Sequence, residues 1–195
     1  MAAPRTGTPL GSVTPLEAQA LEWIAPYSQA EHLVRARDWV LELDPQASPA
    51  LRLAALMHDI ERHYPGGPLQ DFETAEWDDP DYLFAHSTRS ADIVQRWLEE
   101  LPEPPDAALV REVRRLVLLH ELGGDHQADL IQAADSLSFL ETLGDLAAGW
   151  VESGRCSVEK ADAKLRYMRD RIRIPRARTW AVPLYEQAAA RLPER

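Results

Sequence analysis

The chain has 195 residues, is 45% hydrophobic and 27% charged, and carries a formal net charge of −11. That length supports one domain with a full hydrophobic core, and so acidic a balance argues against general nucleic-acid binding. No apolar run approaches the ~20 residues of a membrane span. No charged start precedes an apolar core at the N-terminus, so no signal peptide is expected. Cys156 is the only cysteine, which rules out an internal disulfide and fits a reducing, cytoplasmic location.

Residues 1–13 are poor in apolar side chains and read as a disordered tail. Residues 14–195 read as a single domain, with a core over 28–150 and C-terminal helices over 157–192. Thr14-Pro15-Leu16-Glu17 is a helix start, with a Thr cap, Pro at the first helical position and Glu three residues after the cap. Pro26 ends that helix. Ser28-Gln29-Ala30-Glu31 reads as a second capping box, opening a helix to about Leu43 with His32 in its first turn. Ser48-Pro49 opens an apolar helix through Leu51, Leu53, Ala54, Leu56 and Met57 that ends in His58-Asp59. A buried carboxylate at such a place keeps its charge only if paired, hydrogen-bonded or metal-bound.

A Pro- and Gly-rich break over 63–68 follows. Residues 69–79 read as a short helix or an ordered loop; such a loop can cover a site, but a surface connection is the expectation. Asp79-Pro80 opens a helix to about residue 100 with His86 inside it. Asp106 caps another, to His120, which Gly123-Gly124 stops. The next helix, about 126–150, embeds Asp135 among Ile131, Ala134, Leu137 and Phe139. Ser157 caps a long helix to about Ile172, Pro175 breaks the chain, and 180–192 form a terminal helix. No strand-period segment occurs, so the expected fold is an all-α bundle of seven or eight helices. Between Arg155 and Arg178 nine basic residues meet three acidic ones. This segment is expected to be a basic helix docked on an acidic body, with phosphate binding as the alternative.

Four of the six histidines sit one per predicted helix, and Asp135 follows on a fifth. The order His32, His58-Asp59, His86, His120, Asp135 resembles the H…HD…H…H…D pattern of the HD-domain superfamily of metal-dependent hydrolases, over roughly residues 28–140. The resemblance implies that His32, His58, Asp59 and Asp135 hold one metal, and that His86 and His120 hold a second with Asp59 as the bridge. Imidazole and carboxylate ligands suit Mn, Fe, Co, Ni or Zn, so one or two divalent transition-metal ions are expected.

Two metals ~3.5–4 Å apart suit phosphoester hydrolysis, which makes a nucleotide or another small phosphorylated molecule the expected substrate. Arg62 stands three residues after Asp59, where many members of that superfamily carry lysine or glutamate. Arginine there can anchor a phosphate but cannot act as a base, because it stays protonated. Asp59 and Arg62 are therefore the expected catalytic residues, with Arg62, Arg35 and Arg89 as substrate-binding candidates. Glu61 is expected to point elsewhere, His63 and His126 to be polar loop residues, and Cys156 to have no chemical role. Two alternatives stay open: a di-iron oxygenase using the same ligands, and a non-catalytic binding domain on the same fold.

Overall fold

Capping residues set the helix starts. In the computed structural model, which describes residues 10–72 and 75–193, Thr14 forms a reciprocal capping box with Glu17 at the head of α1 (Pro15–Ile24). Ser48 caps α3 (Pro49–Met57), Asp79 caps α4 (Pro80–Glu99) and Asp106 caps α5 (Ala107–Leu119). Asp125 caps α6 (His126–Thr142), and Ser157 caps α8 (Val158–Asp170). Each places a side-chain oxygen on amide N–H groups that the first helical turn leaves unpaired. The predicted all-α class holds: nine α-helices and one 3₁₀ turn, Ile60–His63, and no strand, occur among the described residues.

Several boundaries differ from expectation. Ser28 is not a cap; α2 (Ala30–Leu43) starts after Gln29, with no side-chain cap bond. The predicted helix 126–150 breaks at Leu143 into α6 and α7 (Gly144–Glu152), which raises the helix count. A Cβ on Gly144 would stand 3.3 Å from the Ala188 backbone, so the terminal helix packs closely at this break. That helix, α9 (Pro175–Ala189), begins at Pro175 rather than near 180 and carries Pro183 inside it. Proline at the first helical position loses only an N–H that would be unpaired anyway.

The expected disordered tail falls in part on residues 1–9, which lie outside the described residues. Its last part is ordered: Leu10 N–H donates to Asp38 at 2.7 Å, and buried Arg37 donates to the Ser12 carbonyl at 2.9 Å.

Packing is organised on α6. Twelve of its seventeen residues are buried, including every one from Leu130 to Leu140, so its middle has no solvent face and the polar side chains there must find partners inside. Leu130, Ile131 and Ala134 join a core built from α1 to α5. Ala133, Leu137, Phe139 and Leu140 join a second core with Trp77, Trp150, Leu165 and Met168. One helix thus welds the two cores and runs Asp135 and Ser138 through the seam. The loop over 69–79 is no helix among its described residues and no mere surface connection. Trp77 is buried and donates to the Lys160 carbonyl at 3.0 Å, and Phe72 packs edge-on to Trp77 and Trp150. No described helix is long and apolar enough to cross a membrane.

Candidate metal centre

Two histidines are placed by the ends of their own helices. His58 closes α3 and His120 closes α5. At a helix end the last carbonyls have no intrahelical donor. The His58 ring folds back so that Nδ1–H donates to the Ala55 carbonyl at 3.0 Å, and His120 Nδ1–H donates to the Val117 carbonyl at 2.6 Å. A carbonyl only accepts, so Nδ1 carries a proton in both and Nε2 is the nitrogen left to take a cation or a second proton.

The other two are placed by side chains. Ser138 on α6 donates its hydroxyl to the His32 carbonyl at 2.6 Å, so it accepts from His32 Nδ1 at 2.9 Å. His86, midway along α4, donates Nδ1–H to Glu61 at 2.8 Å, and the other Glu61 oxygen accepts from Arg89 at 2.8 Å. All four Nε2 atoms are buried and make no hydrogen bond.

These four Nε2 atoms converge on two aspartates. Asp135 Oδ1 lies 3.3 Å from His32 Nε2 and 3.4 Å from His58 Nε2. Asp59 Oδ1 lies 2.8 Å from His86 Nε2, in poor alignment for a hydrogen bond, and 3.8 Å from His120 Nε2. Three overlapping groups have ligand atoms close enough to share an ion: His32, His58 and Asp59; Asp59, His86 and His120; and His120, Glu121 and Asp135. Orphaned imidazole nitrogens whose far nitrogens are held by oxygen acceptors are the arrangement that metal-binding histidines adopt, so the residues fit a divalent transition metal.

The electrostatics follow from burial and pairing. Burial alone would lower the pKa of His58; Asp135, which it faces, and then Asp59 carry it up to about 9. Burial pushes His120 down to about 4, with Glu121 opposing and the neighbouring imidazoles assisting. Burial would raise the carboxyls, but Arg62 and His86 hold Asp59 well below the usual carboxylate range. Arg171 and the first histidine pair do the same for Asp135, and Arg171 with His120 lowers Glu121. The site thus holds its carboxylates ionised, and in the metal-free protein protons stand where cations would bind.

The structure brings all six predicted ligands together, with Arg62 beside them. Arg62 donates from Nε to Asp59 at 2.8 Å and from Nη1 to the Tyr82 hydroxyl at 2.6 Å. It lines a cavity of about 640 Å³ together with Asp59, Glu121, Asp135, Tyr82 and Lys164. Arg35 is not brought there: it forms a double hydrogen bond to Glu141 and a third to Asp38, and lies over Trp39. Arg89 also stands outside, holding Glu61 and the Pro65 carbonyl. Glu61, expected to point away, instead orients His86.

Three contributors escaped the sequence reading. Glu121 is buried with Oε1 3.8 Å from His120 Nε2; its adjacency to His120 was the available signal. Arg171 donates to both Glu121 and Asp135 and to Ser136 Oγ at 2.8 Å. Lys164 lies on α8. These last two belong to the basic segment, where nothing in the sequence separates inward from outward cations. The α8 region is docked on acidic residues, as expected, but the acids are those of the site. No family model, curated protein or solved structure matches the chain.

Proposed function

We propose that this protein is a metal-dependent phosphohydrolase of the HD-domain kind, acting on a small phosphorylated molecule through a two-metal His/Asp centre. One observation carries the reading: four buried, hydrogen-bond-free Nε2 atoms, each on a ring held from behind, surround two carboxylates. In this reading His32, His58, Asp59 and Asp135 hold one ion, and Asp59, His86 and His120 hold the other. Divalent ions there would supply Lewis acidity to a phosphoryl oxygen and lower the pKa of water.

The chain's own residues divide the remaining work. Ser138, Glu61 and the Ala55 and Val117 carbonyls fix the four tautomers and aim the rings. Among the described residues Arg62 has Nε and Nη1 engaged, which leaves Nη2 to meet a non-bridging phosphate oxygen, so its grip is narrower than a free guanidinium fork would give. Tyr82 steadies that guanidinium. Arg35 and Arg89 drop out as substrate contacts because acidic and backbone acceptors occupy them. A cytoplasmic location belongs to the proposal and rests on the lone, unbridged Cys156.

The test is reconstitution with Mn, Fe, Co, Ni and Zn, followed by elemental analysis and a phosphoester screen. One to two ions per chain and turnover of a phosphoester are expected. Absence of any tight metal would refute the site assignment. An iron-loaded protein that absorbs visible light and consumes oxygen without phosphatase activity would move the reading to the oxygenase alternative.

A further inference from the structure

Lys164 is a buried cation with no ion pair of its own among the described residues: Glu121 and Asp135 act on it only from a distance, and Arg171 holds both of them. Its side chain leaves α8 into the cavity that Asp59 and Arg62 line, and the residue is only 8% exposed. Nζ stands 5.3 Å from the Trp77 ring centre, 5.5 Å from Phe139 and 5.1 Å from Tyr167. Among the described residues no carboxylate forms an ion pair with it and no acceptor takes a hydrogen bond from it. The two cations nearest in character are both partnered. Lys160, one turn earlier, donates to the Ala75 carbonyl at 2.5 Å, and Arg171, two turns later, holds Asp135 and Glu121.

Aromatic faces stabilise an ammonium but accept none of its three N–H donors in full. Burying such a group without hydrogen bonds is unfavourable, so the arrangement calls for an acceptor from outside the chain. The cavity is where that acceptor would arrive. Arg155, whose guanidinium lies 5.0 Å from the Phe72 ring centre, adds positive charge to the same lining. The lining also includes Leu143, Leu146 and Trp150, which suit carbon rather than charge.

We propose that Lys164 forms an anion subsite, and that the substrate is doubly anionic: a phosphoester at the Asp59 and Arg62 end, a carbon body, and a second carboxylate or phosphate on Lys164. This deepens the phosphohydrolase reading and rests on it for the first anion only.

The experiment is calorimetric titration of the metal-loaded protein with ω-phosphonocarboxylates of increasing chain length, each against the alkylphosphonate of equal length. At the optimal length the carboxylate should tighten binding by roughly tenfold or more, the scale of one hydrogen bond to a charged group. Lys164→Met should abolish that advantage while leaving alkylphosphonate affinity and metal content unchanged, since the lysine is no ligand. Lys164→Gln serves the same purpose should the methionine variant fail to fold, and the wild-type series is decisive by itself. Alkylphosphonate binding with no carboxylate advantage at any length, or an advantage that survives in Lys164→Met, overturns the subsite alone. Binding of no phosphonate at all overturns both readings.

Discussion

The centre is built from two similar halves that differ in how tightly they are closed. In each, two histidines face one aspartate oxygen, and an arginine holds the other oxygen. In the first half Asp135 faces His32 and His58, and Arg171 is the clamp. In the second Asp59 faces His86 and His120, and Arg62 is the clamp. Arg171 has a side chain 6% exposed and holds Glu121 and Ser136 as well, whereas the Arg62 side chain is 33% exposed and, among the described residues, is otherwise held by the hydroxyl and ring of Tyr82. The first half is therefore the more tightly closed, its clamp packed among α2, α3, α6 and α8 with only the Asp135 carboxylate and Glu121 reaching the cavity wall. The second opens on the cavity, where a clamp can exchange its partner for a substrate.

The largest expected effect comes from Asp59, whose carboxylate reaches both halves. Asp59→Ala should lose both metals, while His86→Ala should keep the ion of the closed half. Normal metal content in Asp59→Ala, read by elemental analysis, would show that the halves share no bridge. Next comes Arg171→Met. It leaves two buried carboxylates without their cation, and breaking a buried pair from one side destabilises by about 3–5 kcal/mol. Urea denaturation in the presence of chelator should show that loss, and added metal should restore part of it. A stability unchanged in chelator would mean that the clamp is not what closes this half.

Much of this architecture could be read before the structure, and the pattern of what could not is physical. The six ligands are rare residue types set in apolar helices, where an unpaired polar group is too unfavourable to be incidental. Helix starts announced themselves through Thr14, Ser48, Asp106 and Ser157, because a cap is a local interaction. Ser28 misled because its pattern fits a capping box, although the chain continues through a turn to Gln29. Arg171 and Lys164 were invisible for the opposite reason. The acceptors of Arg171 stand 35 residues or more away in sequence, the cavity that Lys164 enters is lined from distant parts of the chain, and a basic helix presents the same composition whether its cations face solvent or a buried site. Arg35 failed as a candidate likewise: its proximity to His32 is local, but Glu141, which captures it, is not.

The open half should be the one that senses substrate. Arg62→Ala should leave the metals bound, since arginine is no ligand, and lower kcat/KM by roughly 10²–10³, the scale for one transition-state donor in a dry site. Arg62→Lys should recover part of this, because charge survives while the donor geometry does not. Wild-type kinetics in Arg62→Ala would reduce the arginine to a support for Asp59.

Proton linkage separates the metal-free from the loaded protein. His58 is raised from 6.5 to about 9 in the fold, so its contribution to stability is fully present below pH 6.5 and is lost as pH rises through 9. Across that window the shift amounts to roughly 3 kcal/mol. His86 is raised too and acts in the same sense. Lys164 is lowered from 10.5 to about 8 by burial, and returns stability only as pH climbs from 8 to 10.5. Urea midpoints of the metal-stripped protein should therefore fall from pH 6.5 to pH 8, whereas metal, which replaces the proton on Nε2, should flatten the curve. A flat profile without metal would contradict the His58–Asp135 pairing.

The smallest expected effect tests whether the halves are separable. His32 depends on a neutral hydroxyl: Ser138 accepts from its Nδ1 and returns a hydrogen bond to its carbonyl. Its counterpart in the open half is His86, held by the carboxylate of Glu61. Ser138→Ala removes the acceptor, deletes a single oxygen, and leaves the ring free to change tautomer or tilt. Loss of such an outer partner typically lowers metal affinity by about 10–100-fold. In a competition titration against a chromophoric chelator, only one of two dissociation constants should rise in Ser138→Ala, and the other one in Glu61→Gln. Were each substitution to weaken both ions equally, Asp59 would couple the centre into one unit, and the distinction between a closed and an open half would have no energetic meaning.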